Sequence, residues 1–303
     1  MTNHDSVEQR AFYYSPLSFL REREKELSSL FLESLEKSIQ EGELECIGGN
    51  VKIWVRYLDW DSQYFRCPTY RLEFADWIAG TPNPSASLAK QLIEYKAELS
   101  IKHSKFYLFT AIPSEDTVVL QALGLAGLRL IETRLTHYVA LKGIDMQSIS
   151  AVREGALDDI PNLRDVAMQA RNDYDRFHAD PFFSKKVADI YLAEYVEQCV
   201  RGLTDIVLVP DCDEMLPNAF ICGSFDISAL DKIRIGRLVL VAVANVRRGW
   251  YRDLNKALLM KMKTRGMEYC VNTTQSTNKA VVHVCEQLGY KYGQTSHIFS
   301  THN

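Results

Sequence analysis

A basic glycine turn, Arg247-Arg248-Gly249-Trp250-Tyr251, is the segment of this sequence whose residue types most clearly suit chemistry. It follows the apolar run 238–243, which is typical of a buried strand, and it precedes apolar residues at helical spacing between Leu254 and Met262. A turn between a strand and a helix presents backbone N–H groups at the positive end of the helix dipole, and the two arginines add positive charge. The pattern therefore predicts a site that binds a pyrophosphate.

The elements that must position this turn alternate between helices and strands. Helices after Asp158 and over 184–200 precede short strands at 206–209 and 219–223. After the turn come a helix, a strand and a further helix, which begins at Asn278. This order predicts an α/β fold with a central mixed sheet.

The two halves of the chain end alike. A helix and glycine turn at 118–128 precede a strand through His137, just as 281–289 precedes a strand through His297. We interpret the N-terminal half as a degenerate or partial copy of the C-terminal half; coincidence between ordinary αβ units is the alternative.

A linker at 144–150 divides the chain into predicted domains at 1–145 and 146–303. The first half has no basic glycine turn after its central strand. We therefore expect only the second half to bind the pyrophosphate.

The composition is that of a soluble globular protein, with 303 residues, of which 47% are hydrophobic and 24% charged. A net charge of −4 without a long basic run argues against nucleic acid and membranes as partners. The first residues lack a secretory pattern, and no stretch reaches the ~18 apolar residues of a membrane span. The seven cysteines have no C-x-x-C spacing, so we expect reduced thiols, no metal site and a cytoplasmic protein.

The segment Asn278-Lys279-Ala280-Val281-Val282-His283-Val284-Cys285-Glu286-Gln287-Leu288-Gly289-Tyr290 resembles the Asn-x-Ala-Ala-x-x-x-Tyr-x-x-x-Gly-Phe element of GNAT acyltransferases. The basic turn resembles that family's Arg/Gln-x-x-Gly-x-Gly/Ala element, with Val246 and Tyr251 as departures from it. The resemblance implies a GNAT fold that binds acyl-CoA, preceded by a partial GNAT-like domain.

The resemblance also implies roles for residues of the second half. The family's oxyanion site is a backbone N–H on the strand. The corresponding segment here is Val241–Val243, and the candidates are the N–H groups of Val241 and Val243. Its thiolate-protonating Tyr corresponds to Cys285, whose alternative role is that of a packed apolar residue. Tyr251 is a second source of a hydroxyl, unless its ring only covers the adenosine.

The remaining cofactor contacts are expected at the turn and at the helix that follows. Arg247, Arg248, Gly249 and Trp250 would contact the phosphates, although turn arginines are also often merely solvated. Asn278 would contact the pantetheine arm, which is compatible with a helix-capping role.

Further segments resemble one branch of the superfamily, dTDP-fucosamine acetyltransferase and its relatives. These segments are Leu58–Phe65, Tyr174–Phe183 and Gly289–Phe299. The resemblance implies transfer of an acyl group to a dTDP-linked 3- or 4-amino-dideoxyhexose for surface polysaccharide synthesis. The position of the amine and the acyl length, acetyl or longer such as hydroxybutanoyl, stay open.

The acceptor contacts are expected in the first two of these segments. Arg176 suits a diphosphate, His178 or Asp180 would take the proton of the ammonium, and Phe177 would face a methyl group or stack. A loop histidine is, however, more often a packed or surface residue. The expected contacts from the first domain are Trp60, Asp61 and Tyr64, for which a strand-end Trp beside an Asx turn is the alternative.

Three functions fit this sequence. The first is an N-acyltransferase that acts by direct attack in a ternary complex, since His283 and Cys285 at i and i+2 face away from each other on a helix. The second is a GNAT enzyme for a peptide or small amine. The third is a catalytically inactive CoA-binding interaction module. A homodimer is expected from the resemblance alone.

Overall fold

The computed structural model describes residues 7–144, 152–170, 172–211, 216–226, 233–244 and 249–303. Backbone contacts divide the chain into two units, Met1–Arg134 with Gln294–Asn303, and Leu135–Gly293. The predicted domain boundary at 145/146 lies outside the described residues and stays a prediction. None of the described helices is long and apolar enough to cross a bilayer.

Unit 1 contains a mixed sheet to which the last strand of the chain belongs. Its elements are α1 (Val7–Tyr14), α2 (Glu24–Gln40), β1 (Leu44–Gly48), β2 (Val51–Tyr57), α3 (Asp59–Phe65), β3 (Thr69–Trp77), α4 (Pro84–Lys102), β4 (Tyr107–Pro113), α5 (Thr117–Leu125) and the first part of β5 (Arg129–Ala140), which continues into unit 2. The strand order is β1-β2-β3-β4, and the last strand of the chain pairs antiparallel with β4.

Local sequence accounts for the start of α4 in unit 1 and for the face that it buries. The side chain of Asn83 accepts a hydrogen bond from the Ala86 N–H, and Pro84 stands in the first turn of α4. Leu88, Leu92 and other residues of α4 are buried and pack in one cluster with β2, β3 and β4. Burial of this apolar stripe positions α4 against the sheet.

The strands of unit 2 also run in mixed directions. Its elements are the remainder of β5, β6 (Val152–Glu154), α6 (Ile160–Gln169), α7 (Arg176–Ala179), α8 (Lys185–Gln198), β7 (Ile206–Pro210), β8 (Ala219–Asp226), β9 (Ile235–Val243), α9 (Trp250–Thr264), β10 (Tyr269–Gln275) and α10 (Lys279–Gln287), followed by β11 (Lys291–His302), which ends in unit 1. The strand order is β5-β10-β9-β8-β7-β6, with β9 and β10 parallel and β6 to β9 antiparallel. This confirms the predicted α/β class with a mixed central sheet.

Two glycines let α9 lie close to the sheet. A Cβ at Gly223 would stand 2.5 Å from Leu258 Cδ1, and one at Gly236 would stand 2.3 Å from Met262 Sδ. Both partners are fully buried residues of α9. Small residues on β8 and β9 therefore set the position of α9, and with it the position of Tyr251 in its first turn.

The two parallel strands of unit 2 separate half-way along their length. They pair from Ile235↔Tyr269 to Leu238↔Asn272, and the pairing stops there, although β9 continues to Val243. Beyond Leu238, the edge of β9 that faces β10 is not used by this ladder. We call the space between the two strands beyond this point the cleft of unit 2.

Candidate active site

β9 carries a β-bulge at the level where it leaves β10. Its register with β8 passes from Cys222↔Leu240 to Gly223↔Leu238, so Val239 is the extra residue. A bulge re-aims the backbone groups of its strand. The predicted oxyanion donors at Val241–Val243 lie just beyond this bulge, and their role stays a prediction.

The N-terminus of α9 lies at the basic glycine turn. Gly249 precedes the helix with φ of 69°, a left-handed conformation in which a side chain would be strained, and as the N-cap residue it has no side chain that could cap this end. The N–H groups of the first turn, which begins with Trp250 and Tyr251, are therefore suited to an anion. Arg247 and Arg248 lie outside the described residues, so their phosphate contacts stay predictions.

A buried polar cluster lies between β10 and the two helices α9 and α10. Asn272 Nδ2 donates to Tyr251 Oη at 2.9 Å and to Cys285 Sγ at 3.2 Å. Asn255 Nδ2 donates to the same phenol oxygen at 3.2 Å, and Tyr290 Oη donates to Asn255 Oδ1 at 2.9 Å. The structure thus brings together the predicted Tyr251 and Cys285, 4.0 Å apart between Oη and Sγ.

The hydrogen bonds that Tyr251 accepts restrict the direction of its own O–H group. Two amide N–H groups, from Asn255 and Asn272, already occupy the acceptor positions of its oxygen. The phenol proton is therefore left to point away from both amides, and Cys285 Sγ lies 4.0 Å from the oxygen. Three of the five residues in the cluster, Asn255, Asn272 and Tyr290, were not predicted as site residues; the only signal for Asn255 was a polar residue at i+4 from Tyr251 on the apolar face of a helix.

Burial controls the acidity of this cluster. It raises the pKa of the Tyr251 phenol well above its usual value, and Cys285 raises it further, whereas the N–H donors of Asn272 and Asn255 lower it. Burial also raises the pKa of the Cys285 thiol, against the hydrogen bonds from Tyr251 and Asn272. Both groups therefore hold their protons at neutral pH. Cys285 is fully buried, as expected for the packed alternative.

Asn278 caps α10. Its Oδ1 accepts the Val281 N–H at 3.3 Å. This is the capping role that was expected alongside a pantetheine contact.

The loop around α7 holds His178 between two carboxylates. Its Nδ1 lies 2.7 Å from Asp175 Oδ2, its Nε2 lies 3.0 Å from Asp189 Oδ1, and its side chain is fully buried. The hydrogen bond to Asp175 and the second carboxylate raise the pKa of His178, although burial opposes them. Both ring nitrogens therefore face carboxylates, and the role of His178 as a proton acceptor stays a prediction.

The other loop residues also make structural contacts. Asp180 is fully buried, and its Oδ1 accepts the Phe182 N–H at 3.0 Å; its role in proton transfer stays a prediction. The Phe177 ring packs on Tyr191 at 4.2 Å between centroids, and the Arg176 guanidinium lies 4.3 Å above the Phe177 ring. The substrate contacts of Arg176 and Phe177 stay predictions.

The predicted contacts of the first domain lie on α3 in unit 1. The Trp60 and Tyr64 rings stack at 5.5 Å between centroids and 15° between planes, and Trp60 is 45% exposed. Asp61 lies in the first turn of the same helix, so the segment is a helix and not the strand end of the alternative reading. The substrate contacts of Trp60, Asp61 and Tyr64 stay predictions.

Comparison with known proteins defines the fold. Neither a protein-family model nor a curated protein sequence matches the chain significantly. Solved structures do match: a GCN5-related N-acetyltransferase from Sphaerobacter thermophilus, with TM-score 0.58 and 11% identity, covers 88% of this chain and is itself 85% covered. The chain has the GNAT fold.

Two further structures show the same likeness. A GCN5-related N-acetyltransferase from Kribbella flavida matches with TM-score 0.52 and 11% identity over 89% of this chain and 94% of its own. A tandem GNAT protein from the clavulanic acid biosynthesis pathway matches with TM-score 0.53 and 13% identity over 83% of this chain and 78% of its own. These matches confirm the predicted fold, and the low identities carry nothing about substrate.

Proposed function

We propose that the protein is an acyl-CoA-dependent N-acyltransferase that works by direct attack of an amine on the thioester. The observation that carries the proposal is the separation of β9 from β10 at Leu238 and Asn272, beside the phenol of Tyr251. The unused edge of β9 suits the linear amides of pantetheine, and the first turn of α9 suits the pyrophosphate. The GNAT fold of the chain supports this use of the cleft.

The chemistry follows from the groups that line the cleft. The neutral amine adds to the thioester carbonyl, and the resulting oxyanion needs a backbone N–H donor, for which β9 beyond Val239 is the candidate. Collapse of the intermediate breaks the carbon–sulfur bond and releases the CoA thiolate. Tyr251 donates its proton to that thiolate, and the phenolate left behind is stabilised by the Asn255 and Asn272 N–H groups. The acylated nitrogen loses its extra proton, and this proton restores the Tyr251 phenol.

This assignment places the acidic hydroxyl on α9. The family position on α10 holds Cys285 instead, and the Tyr251 oxygen lies 4.0 Å from its sulfur. Tyr251 of α9 therefore places a phenol close to the position that Cys285 occupies on α10. Retention of this phenol, with two dedicated donors, favours an active enzyme over an inactive CoA-binding module.

For the acceptor we propose a dTDP-linked 3- or 4-amino-dideoxyhexose, used in surface polysaccharide synthesis. The support is the sequence resemblance together with the stacked, partly exposed Trp60–Tyr64 pair on α3, a platform of the kind on which a base or sugar ring packs. The GNAT reading for a peptide or small amine remains the alternative acceptor class.

A thiol-release assay tests this proposal. The purified protein is incubated with acetyl-CoA or a longer acyl-CoA, with and without each member of a panel of 3-amino and 4-amino dTDP-sugars. We expect free thiol only when one of these sugars is present, with an N-acylated sugar as product by mass spectrometry. Release with simple amines or peptides alone would move the acceptor to the alternative class, and CoA binding without release from any amine would indicate a binding module.

A further inference from the structure

Unit 1 repeats the strand separation that forms the cleft of unit 2. The parallel strands β3 and β4 pair from Thr69↔Tyr107 to Leu72↔Thr110, and their pairing then stops, although β3 continues to Trp77. The register of β3 with β2 skips Glu73, which makes this residue a bulge. Both units therefore have four parallel pairs followed at once by a bulge on the longer strand.

The helix after the separating strands is repeated as well. In unit 1, Asp116 caps α5 by accepting the Val119 N–H, and in unit 2 Asn278 caps α10 in the same way. Both helices have nine residues, and a glycine with positive φ follows each, Gly127 at 74° and Gly289 at 77°. The repeat places Asp116 at the mouth of the unit 1 cleft.

Arg10 of α1 bridges the two sides of that cleft. Its Nη2 donates to the Ala75 carbonyl at 2.5 Å, beyond the last parallel pair of β3. Its Nε and Nη2 also donate to the Asp116 carboxylate at 3.2 and 2.9 Å, and Nη1 donates to Asp76 at 3.3 Å. The guanidinium lies 3.9 Å from the centroid of the Trp77 ring and is buried.

The position of these contacts matches the active cleft of unit 2. Ala75 lies two residues after the bulge at Glu73, just as Val241 lies two residues after the bulge at Val239. In unit 1, an Arg10 N–H thus bonds to β3 at Ala75. The corresponding position of unit 2 is Val241, where, under the function proposed above, an amide of acyl-CoA would pair with β9.

We propose that α1 permanently fills the cleft of unit 1 that corresponds to the acyl-CoA cleft of unit 2. Arg10 then lies where the pantetheine arm would lie in unit 2. Tyr14 also binds α1 to this site, because its Oη donates to Asp116 Oδ2 at 2.7 Å. The phosphate side is closed too: the helix that corresponds to α9 is α4, and the side chain of Asn83 already caps its N-terminus. The protein therefore binds one acyl-CoA, at unit 2.

Hydrogen exchange on the full chain tests this inference. The double variant Arg10→Met with Asp116→Asn removes both buried charges, and asparagine preserves the cap of α5. We expect exchange of the amides of 7–14 and 73–77 to accelerate at least ~10-fold, as for a segment that has left its site. Arg23→Met, which removes a surface pair with Glu26, is the matched control and should leave both segments unchanged.

Unchanged protection of 7–14 in the double variant would overturn the inference, because apolar packing alone would then hold α1. A calorimetric stoichiometry of two CoA molecules per wild-type chain would overturn it as well. Absence of CoA binding would contradict the proposed function of unit 2, while the exchange result would still decide the occupancy of unit 1.

Discussion

Replacement of Tyr251 by Phe should separate catalysis from stability in the buried polar cluster. The change removes one oxygen, which accepts N–H groups from Asn272 at 2.9 Å and from Asn255 at 3.2 Å. Asn272 keeps its contact with Cys285 Sγ at 3.2 Å, whereas Asn255 loses this acceptor. A buried donor without its acceptor costs ~1–3 kcal/mol, so we expect the free energy of unfolding to fall by that amount.

Tyr290→Phe is the matched control. The Tyr290 oxygen bonds Asn255 Oδ1 at 2.9 Å and lies 3.4 Å from Cys270 Sγ, so its loss also leaves one amide group of Asn255 without a partner. Both variants should therefore be destabilised alike. Only Tyr251→Phe removes the proton assigned to the thiolate, and general-acid catalysis of this kind contributes about 10²-fold or more to kcat.

Steady-state thiol release and thermal unfolding measure the two effects separately. We expect a drop in kcat of about 10²-fold for Tyr251→Phe with little change in KM for acyl-CoA, and near-normal kcat for Tyr290→Phe. The melting temperatures should fall together, by about 2–4 °C per kcal/mol for a unit of this size. Equal kcat values in the two variants would refute the assignment of Tyr251 as the acid.

Three further predictions concern other parts of unit 2. Gly249→Ala forces a side chain into a left-handed turn, and isothermal titration should show weaker acyl-CoA binding with thiol-release kcat retained. Gly236→Ala, whose Cβ would overlap Met262, should lower the free energy of unfolding in urea by ~1–3 kcal/mol, whereas Gly124→Ala, with open space around it, should not. His178 has a raised pKa, so its contribution to stability is present at acidic pH and lost as pH rises through that pKa; the difference in melting temperature between wild type and His178→Gln should shrink over this interval.

The sequence predicts the elements of unit 2 because their signals are local. An apolar run is typical of β9, helical spacing from Leu254 to Met262 indicates α9, and Asn278 is an ordinary N-cap. The roles predicted for Tyr251 and Cys285 rested on the family resemblance. Asn255 was not predicted, because its role depends on the rotation of α9 about its axis. That rotation is set by close packing against Gly223 and Gly236, which are distant in sequence.

Non-local contacts account for the rest. Pairing of the last strand with β4, for example His297 with Ile112, leaves no trace in the spacing of either segment. The carboxylate partners of His178 were also hidden: Asp175 lies nearby in sequence, but Asp189 comes from the next helix. The sequence of this loop therefore gives no sign that both ring nitrogens of His178 face carboxylates.

Hydrogen exchange with and without acetyl-CoA is the direct test of whether acyl-CoA binds where β9 leaves β10. We expect slower exchange at amides of 239–243 and in the first turn of α9 from Gly249 to Arg252. We expect no change in 73–77, the corresponding strand segment of unit 1. Protection confined to unit 1, or binding that leaves 239–243 unprotected, would show that acyl-CoA binds elsewhere.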